Sequence, residues 1–232
     1  MSWRRNGAQA KMKFKAVLFD LDGTLLDTLD DLADSMNASL ERFGFPTHPV
    51  NAYRYLVGDG LMNLVLRAIP ENHRDEMTLS KVVDAQWDEY SQRWACKTHP
   101  YDGIPELLNE LEQRGLHICI LSNKPDDFTH AVVRKFLPKW RFAAVRGVSA
   151  DTPVKPNPSG ANQIAANLGI PTAEFLYVGD SNTDMRTANA AGMFPVGALW
   201  GFRLEDELIA AGAKALIEHP ADLLNLLSLH AF

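Results

Sequence analysis

Apolar residues recur along this chain in two rhythms. Ala16, Val17, Leu18 and Phe19 form a short unbroken run, and similar runs fall at residues 117–121 and 175–178. Such runs, bounded by turn residues, suit strands buried on both faces, as in a parallel sheet. Elsewhere the spacing lengthens. Leu29, Leu32, Ala33, Met36 and Leu40 fall at helical intervals, with Asp30 and Asp31 in the first turn, where the helix dipole favours acids. Gly44 and Pro46 end that helix. Helical spacing continues through Leu61, Leu64, Val65 and Ala68 and over residues 82–90, with no strand pattern before about residue 95. After the punctuation at 100–105, a helix runs through Leu107, Leu108 and Leu111 to Gly115. From 116 the order becomes strand, loop, helix, with segments at 195–197, 205–211 and 221–227 completing the sheet and its cover. That alternation predicts an α/β fold, a Rossmann-like parallel sheet core with an inserted all-helical cap. The expected division is a disordered lead-in over 1–12, with Met12 a candidate start of the fold, a core from 13–27 and 96–232, and a cap over 28–95.

Composition narrows the picture. At 232 residues and 46% hydrophobic, the chain can bury a full core. A net charge of −6 argues against nucleic acid or an anionic membrane as partner. Cys96 and Cys119 are too few for a disulfide framework and read as thiols of a reducing, cytoplasmic setting. No apolar run approaches a bilayer's thickness, and the basic N-terminus lacks the apolar stretch of a secretory signal.

The candidate chemistry gathers where the apolar runs end. Asp20 and Asp22 follow the first, two residues apart, so an extended chain turns both to one side, and Gly23 lets the backbone bend away. Buried carboxylates need a partner or a metal, and this pair suits a hard cation such as magnesium. Ser122 and Asn123 end the second run, where ligands gather in parallel sheets. Lys155 lies among prolines in Thr152-Pro-Val-Lys-Pro-Asn-Pro158, which restrict its freedom. Asp180 ends the third run, and Asp184, four residues on, shares its helix face and can look back at the acidic cluster.

The run from Asp20 through Asp22, Gly23 and Thr24 resembles the first motif of the haloacid dehalogenase superfamily, Asp-x-Asp-Gly-Thr of its phosphatases. Ser122, Lys155-Pro156 and Gly179-Asp180-Ser181-x-x-Asp184 are similar to the second, third and fourth motifs, in order. The resemblance implies a magnesium-dependent phosphomonoester hydrolase. Asp20 is its nucleophile, forming an aspartyl-phosphate, and Asp22 the acid and then the base. Ser122, Asn123 and Lys155 bind phosphate. Magnesium is held by the Asp20 and Asp180 side chains and the Asp22 backbone carbonyl, and Asp184 orients the metal site. Dehalogenases of the superfamily lack the second Asp, so Asp22 places the chain with the phosphatases.

Residues 56–68 are similar to the cap of phosphoglycolate phosphatases, which makes 2-phosphoglycolate the expected substrate. Gly58 and Gly60 are expected to let a cap loop approach the site, and Arg67 either to bind a substrate carboxylate or to lie on the surface. The alternatives are a sugar-phosphate phosphatase, a pyrophosphatase, a phosphohexose mutase and, without catalysis, a phosphate-binding regulatory module. In each case the partner is a small phosphorylated metabolite.

Overall fold

The computed structural model describes residues 14–229, so the lead-in expected over 1–12, Met12 included, lies outside the described residues. Strand β1 (Ala16–Phe19) is followed by the short β2 (Leu26–Asp27) and then by α1 (Leu29–Arg42), α2 (Tyr53–Leu56), α3 (Leu61–Ala68) and α4 (Glu76–Arg93). The chain returns through β3 (His99–Pro100), which pairs antiparallel with β2. Next come α5 (Ile104–Gln113), β4 (His117–Pro125), α6 (Asp126–Phe136), β5 (Ala144–Val148), α7 (Ser159–Leu168) and β6 (Phe175–Gly179). The chain ends with α8 (Asn182–Ala191), β7 (Phe194–Ala198), α9 (Glu205–Ala210), β8 (Ala215–Ile217) and α10 (Asp222–Leu229).

Six strands form one parallel sheet in the order β5-β4-β1-β6-β7-β8. The three apolar runs are its middle strands, and their side chains divide with a period of two. Val17, Phe19, Ile118, Ile120, Leu176 and Val178 join one core with residues of α5, α6 and α10. Ala16, Leu18, Cys119, Leu121, Phe175 and Tyr177 join the other with α7 and α8. Strand order reverses about β1, and ligand crevices form beyond the carboxyl ends of strands at such a point.

The four helices between β2 and β3 gather a third apolar cluster around Met36, Leu40, Tyr53, Leu64, Val65 and Val82. Phe202, from the loop after β7, is buried in it as well. Asp31 does more than complement the α1 dipole. It is fully buried. Its carboxylate accepts from the backbone N–H of Lys97 (3.0 Å) and Thr98 (2.9 Å) and from Thr98 Oγ1 (2.7 Å). The first turn of α1 is thereby tied to the chain returning toward β3.

Candidate active site

The carboxyl ends of β1, β4 and β6 are adjacent, and each delivers one part of the site. Asp20 continues the β1 ladder, its N–H donating to Val178 O at 2.9 Å, before the chain turns. The turn is closed by Gly23 N–H to Leu26 O, 2.9 Å, and by Leu25 and Leu26 N–H to Leu21 O. Gly23 is required twice over. Its φ of 81° lies in the left-handed region, and a Cβ there would overlap the Asp180 carboxylate. That carboxylate accepts from Thr24 Oγ1 at 2.9 Å and from the Phe202 N–H at 2.7 Å.

Asp20, Asp180 and Asp184 each bring a carboxylate oxygen within 4.8 Å of the others, and all are buried. Asp184 is fixed by a capping box at the start of α8. The Ser181 hydroxyl accepts from the Asp184 N–H while Asp184 accepts from the Ser181 N–H and hydroxyl. Lys155 is the cation among them. Its Nζ lies 2.7 Å from Asp20 Oδ1, 2.7 Å from Asp184 Oδ1 and 3.2 Å from Leu121 O.

Burial raises the Asp20 carboxyl well above the usual carboxylate range; Asp184 and Asp180 add to this and Lys155 opposes it. Burial, then the charge of Asp184, push Asp180 up to about 7 against its hydrogen bonds from Phe202 and Thr24. Burial works against charge on Lys155, yet Asp184 and Asp20 hold its ammonium well above the ordinary lysine value. Three carboxyl groups facing one ammonium crowd acidic oxygens into a buried site. A hard divalent cation fits that donor set.

Asp22 does not join this cluster. Its carboxylate turns to Lys124, with Nζ to the two oxygens 2.7 and 2.8 Å, and accepts from Thr28 Oγ1 at 2.7 Å. The expectation that the Asp20 and Asp22 side chains pool their charge is therefore corrected. Each has its own lysine, because the chain has already begun to turn at Asp22. Lys124 was not singled out from the sequence, although Lys124-Pro125 repeats the lysine-proline pattern that drew notice at Lys155-Pro156. Burial acts against its charge, but Asp22 holds it above the ordinary lysine value. Its Nζ also lies 5.2 Å from the centre of the Tyr90 ring.

Ser122 is buried at the end of β4 and accepts from the Lys124 N–H at 3.1 Å. Asn123 is spent on structure. Its Oδ1 accepts from the Lys155 N–H at 2.8 Å, and its Nδ2 donates to Gly58 O at 3.1 Å.

A cavity of about 100 Å³ opens over Asp20, Asp22 and Lys124 and is roofed by Gly58, Gly60, Leu61, Leu64, Trp87 and Tyr90 of the helical segment. Gly60 lines it, but a Cβ there would meet nothing within 4 Å, so its φ of 87° at the start of α3, not close approach, asks for glycine. Arg67 does not line it. It donates to Leu56 O at 3.2 Å and to Asp59, whose other oxygen takes the Thr183 hydroxyl. Three further bonds tie the same loop to the sheet side: Arg54 to Gly201 O (3.0 Å), Arg203 to Val57 O (2.9 Å) and Asn123 to Gly58 O.

Comparison with known proteins fits this architecture. Residues 17–198 match the family model for haloacid dehalogenase-like hydrolases. A phosphoglycolate phosphatase of Xanthomonas campestris pv. campestris is 33% identical over 214 residues, covering 91% of this chain and 96% of that protein. An N-acetylmuramic acid 6-phosphate phosphatase of Pseudomonas aeruginosa is 30% identical over 218 residues, covering 94% and 96%. Among solved structures, a protein of Lactobacillus delbrueckii subsp. bulgaricus with a provisional phosphoglycolate phosphatase name superposes with a TM-score of 0.88 at 28% identity, covering 93% and 99%.

Proposed function

The chain belongs to the haloacid dehalogenase-like hydrolases and is a phosphatase of that family, and we propose that it hydrolyses 2-phosphoglycolate through an aspartyl-phosphate formed on Asp20. The observation that carries this reading is the Asp20 carboxylate on the cavity floor, paired with Lys155 and flanked by Asp180 and Asp184. In the first step Asp20 attacks phosphorus and the leaving oxygen takes a proton from Asp22. In the second, Asp22 removes a proton from water, which attacks the aspartyl-phosphate and releases phosphate. Ser122 and Lys155 hold the phosphoryl oxygens, and Asn123 keeps Lys155 in place through its backbone. Magnesium, held by Asp20 and Asp180 with the Asp22 main chain and oriented by Asp184, would offset the charge where these anions converge.

Residues 28–95 act in this proposal as a cap over a core of 13–27 and 96–232, closing on the substrate through the loop at 54–60. The phosphoglycolate phosphatase of Xanthomonas, 33% identical along nearly its whole length, supports this substrate.

The test is phosphate release over a panel containing 2-phosphoglycolate, hexose phosphates, pyrophosphate and N-acetylmuramic acid 6-phosphate, with and without EDTA. The expected result is the highest kcat/KM on 2-phosphoglycolate, none with EDTA, and none from Asp20→Asn. A hexose phosphate or amino-sugar phosphate at the head of the panel would overturn the substrate assignment, and turnover by pure Asp20→Asn the covalent mechanism.

A further inference from the structure

If the substrate carries a carboxylate beside its phosphate ester, the cavity must hold a cation for it. Arg67, the residue the sequence offered, faces Asp59 and Leu56 instead. Lys155 is taken up by Asp20 and Asp184, and Arg203, which donates to Val57 O beside Glu207 and has an Nη1 without a hydrogen-bond partner, does not line the cavity. Among the described residues, Lys124 is the one lysine or arginine that lines the cavity. Its surroundings there are mostly apolar (Trp87, Tyr90, Phe128 and Phe202), so a charge contact with it is poorly screened. Gln86 lines the same cavity from α4 and is buried, with an Nε2 that has no hydrogen-bond partner.

We propose that Lys124 is the specificity-determining residue, its Nζ receiving the substrate carboxylate beside the Asp22 that serves the leaving oxygen. The inference rests on the phosphoglycolate reading and deepens it. The chemistry of the substrate supplies the geometric check. In 2-phosphoglycolate a single methylene separates the bridging oxygen from the carboxylate carbon, so the group serving the one and the group binding the other must be close neighbours. Asp22 and Lys124 are in direct contact, 2.7 Å apart. Without substrate, Asp22 compensates the lysine charge; with substrate bound, the carboxylate shares it.

The experiment compares 2-phosphoglycolate with 2-hydroxyethyl phosphate, an analogue of similar size that lacks the carboxylate, in wild type, Lys124→Met and Lys124→Arg. Any loss that comes from unpairing Asp22 affects both substrates and divides out of the ratio of their kcat/KM values. Lys124→Met should lower that ratio on the order of a hundredfold, chiefly through a higher KM for 2-phosphoglycolate. Lys124→Arg should restore part of it. A melting curve for each variant confirms that it is folded. An unchanged ratio in Lys124→Met, with wild type preferring 2-phosphoglycolate, overturns this inference alone. A wild type that prefers a different carboxylated phosphomonoester, with the ratio still collapsing in the variant, overturns only the substrate assignment. A wild type indifferent to the carboxylate overturns both.

Discussion

At the scale of single residues, the two aspartates of the first motif differ by environment. Asp20 sits among acids and one lysine, Asp22 between a lysine and a threonine. If Asp22 protonates the leaving oxygen, Asp22→Asn should slow an alkyl phosphate by roughly a hundredfold to ten-thousandfold and an aryl phosphate, whose leaving group needs no proton, far less. Equal losses on both, measured as kcat/KM, would remove the acid role. Asp180 carries a pH prediction. With its folded-state value at about 7 and an unfolded value near ~4, the folded chain binds that proton more tightly than the unfolded one. The contribution of Asp180 to the stability of the metal-free protein should therefore be complete below about pH 4 and be lost as pH rises toward 7, by at most ~1.4 kcal/mol per pH unit. Asp180→Asn should flatten the decline seen in melting temperatures between pH 5 and 7.5; parallel curves would refute the assignment. The sequence displayed every acid of the site, because Asp20 and Asp180 follow the ends of apolar runs and Asp22 and Asp184 come two and four residues after them. It did not reveal that Asp22 and Lys124 pair, since a contact between positions so far apart in the chain leaves no local pattern.

At the scale of elements, the apolar runs announced β1, β4 and β6, which lie in the middle of the sheet. The strands that escaped notice are β5 and β8, its two edges, and the short pair β2 and β3. Edge strands bury less and need less apolar sequence: β5 carries Arg146 and Gly147, and β8 is three residues long. Helices end where the sequence placed glycine, as α8 does at Gly192. Two substitutions separate stability from chemistry here. Ser181→Ala removes the α8 cap and should cost ~1 kcal/mol, a loss of roughly 2–4 °C in melting temperature, while loosening Asp184. Gly23→Ala meets both a left-handed φ and the Asp180 carboxylate, so it should cost more and also lower kcat. Calorimetry beside initial rates checks the order. If Gly23→Ala proves the milder change, the close fit of this turn to Asp180 is not what the site depends on.

At the scale of the whole molecule, the helical segment meets the sheet side through polar contacts of its 54–60 loop and through the rings of Trp87 and Tyr90, which pack on Phe128 of α6. Arg54, Val57, Gly58 and Asp59 reach Gly201, Arg203, Asn123 and Thr183, and Phe202 enters the helical cluster. Arg67 supports this junction by holding Asp59, whose carboxyl lies below the usual range because hydrogen bonds from Thr183 and Arg67 outweigh its burial. Arg67→Ala should therefore raise KM a few-fold for phosphate esters with and without a carboxylate alike. Selective loss on the carboxylated one would return Arg67 to the role the sequence first offered. A stretch of helices inserted after the first strand was legible from rhythm alone. The junction was not, because its backbone carbonyls and loop glycines carry no periodic signal.

The sheet order has a consequence for how the protein is made. The strand bearing Asp20 is the first to be synthesised, yet its neighbours begin at His117 and Phe175, so Ala16 waits for partners from two distant parts of the chain. Domains emerge from the ribosome N-terminus first, and pairings between distant segments form late. The helices of 28–95, whose contacts are mostly among themselves, can collapse while β1 is still an unpaired apolar ribbon. A nascent chain halted before residue 175 thus has Asp20 without Asp180 and one open edge on its central strand. The catalytic centre comes into being only after residues 180 to 184 have been made, and until β4 follows it, β1 has no neighbour in the sheet.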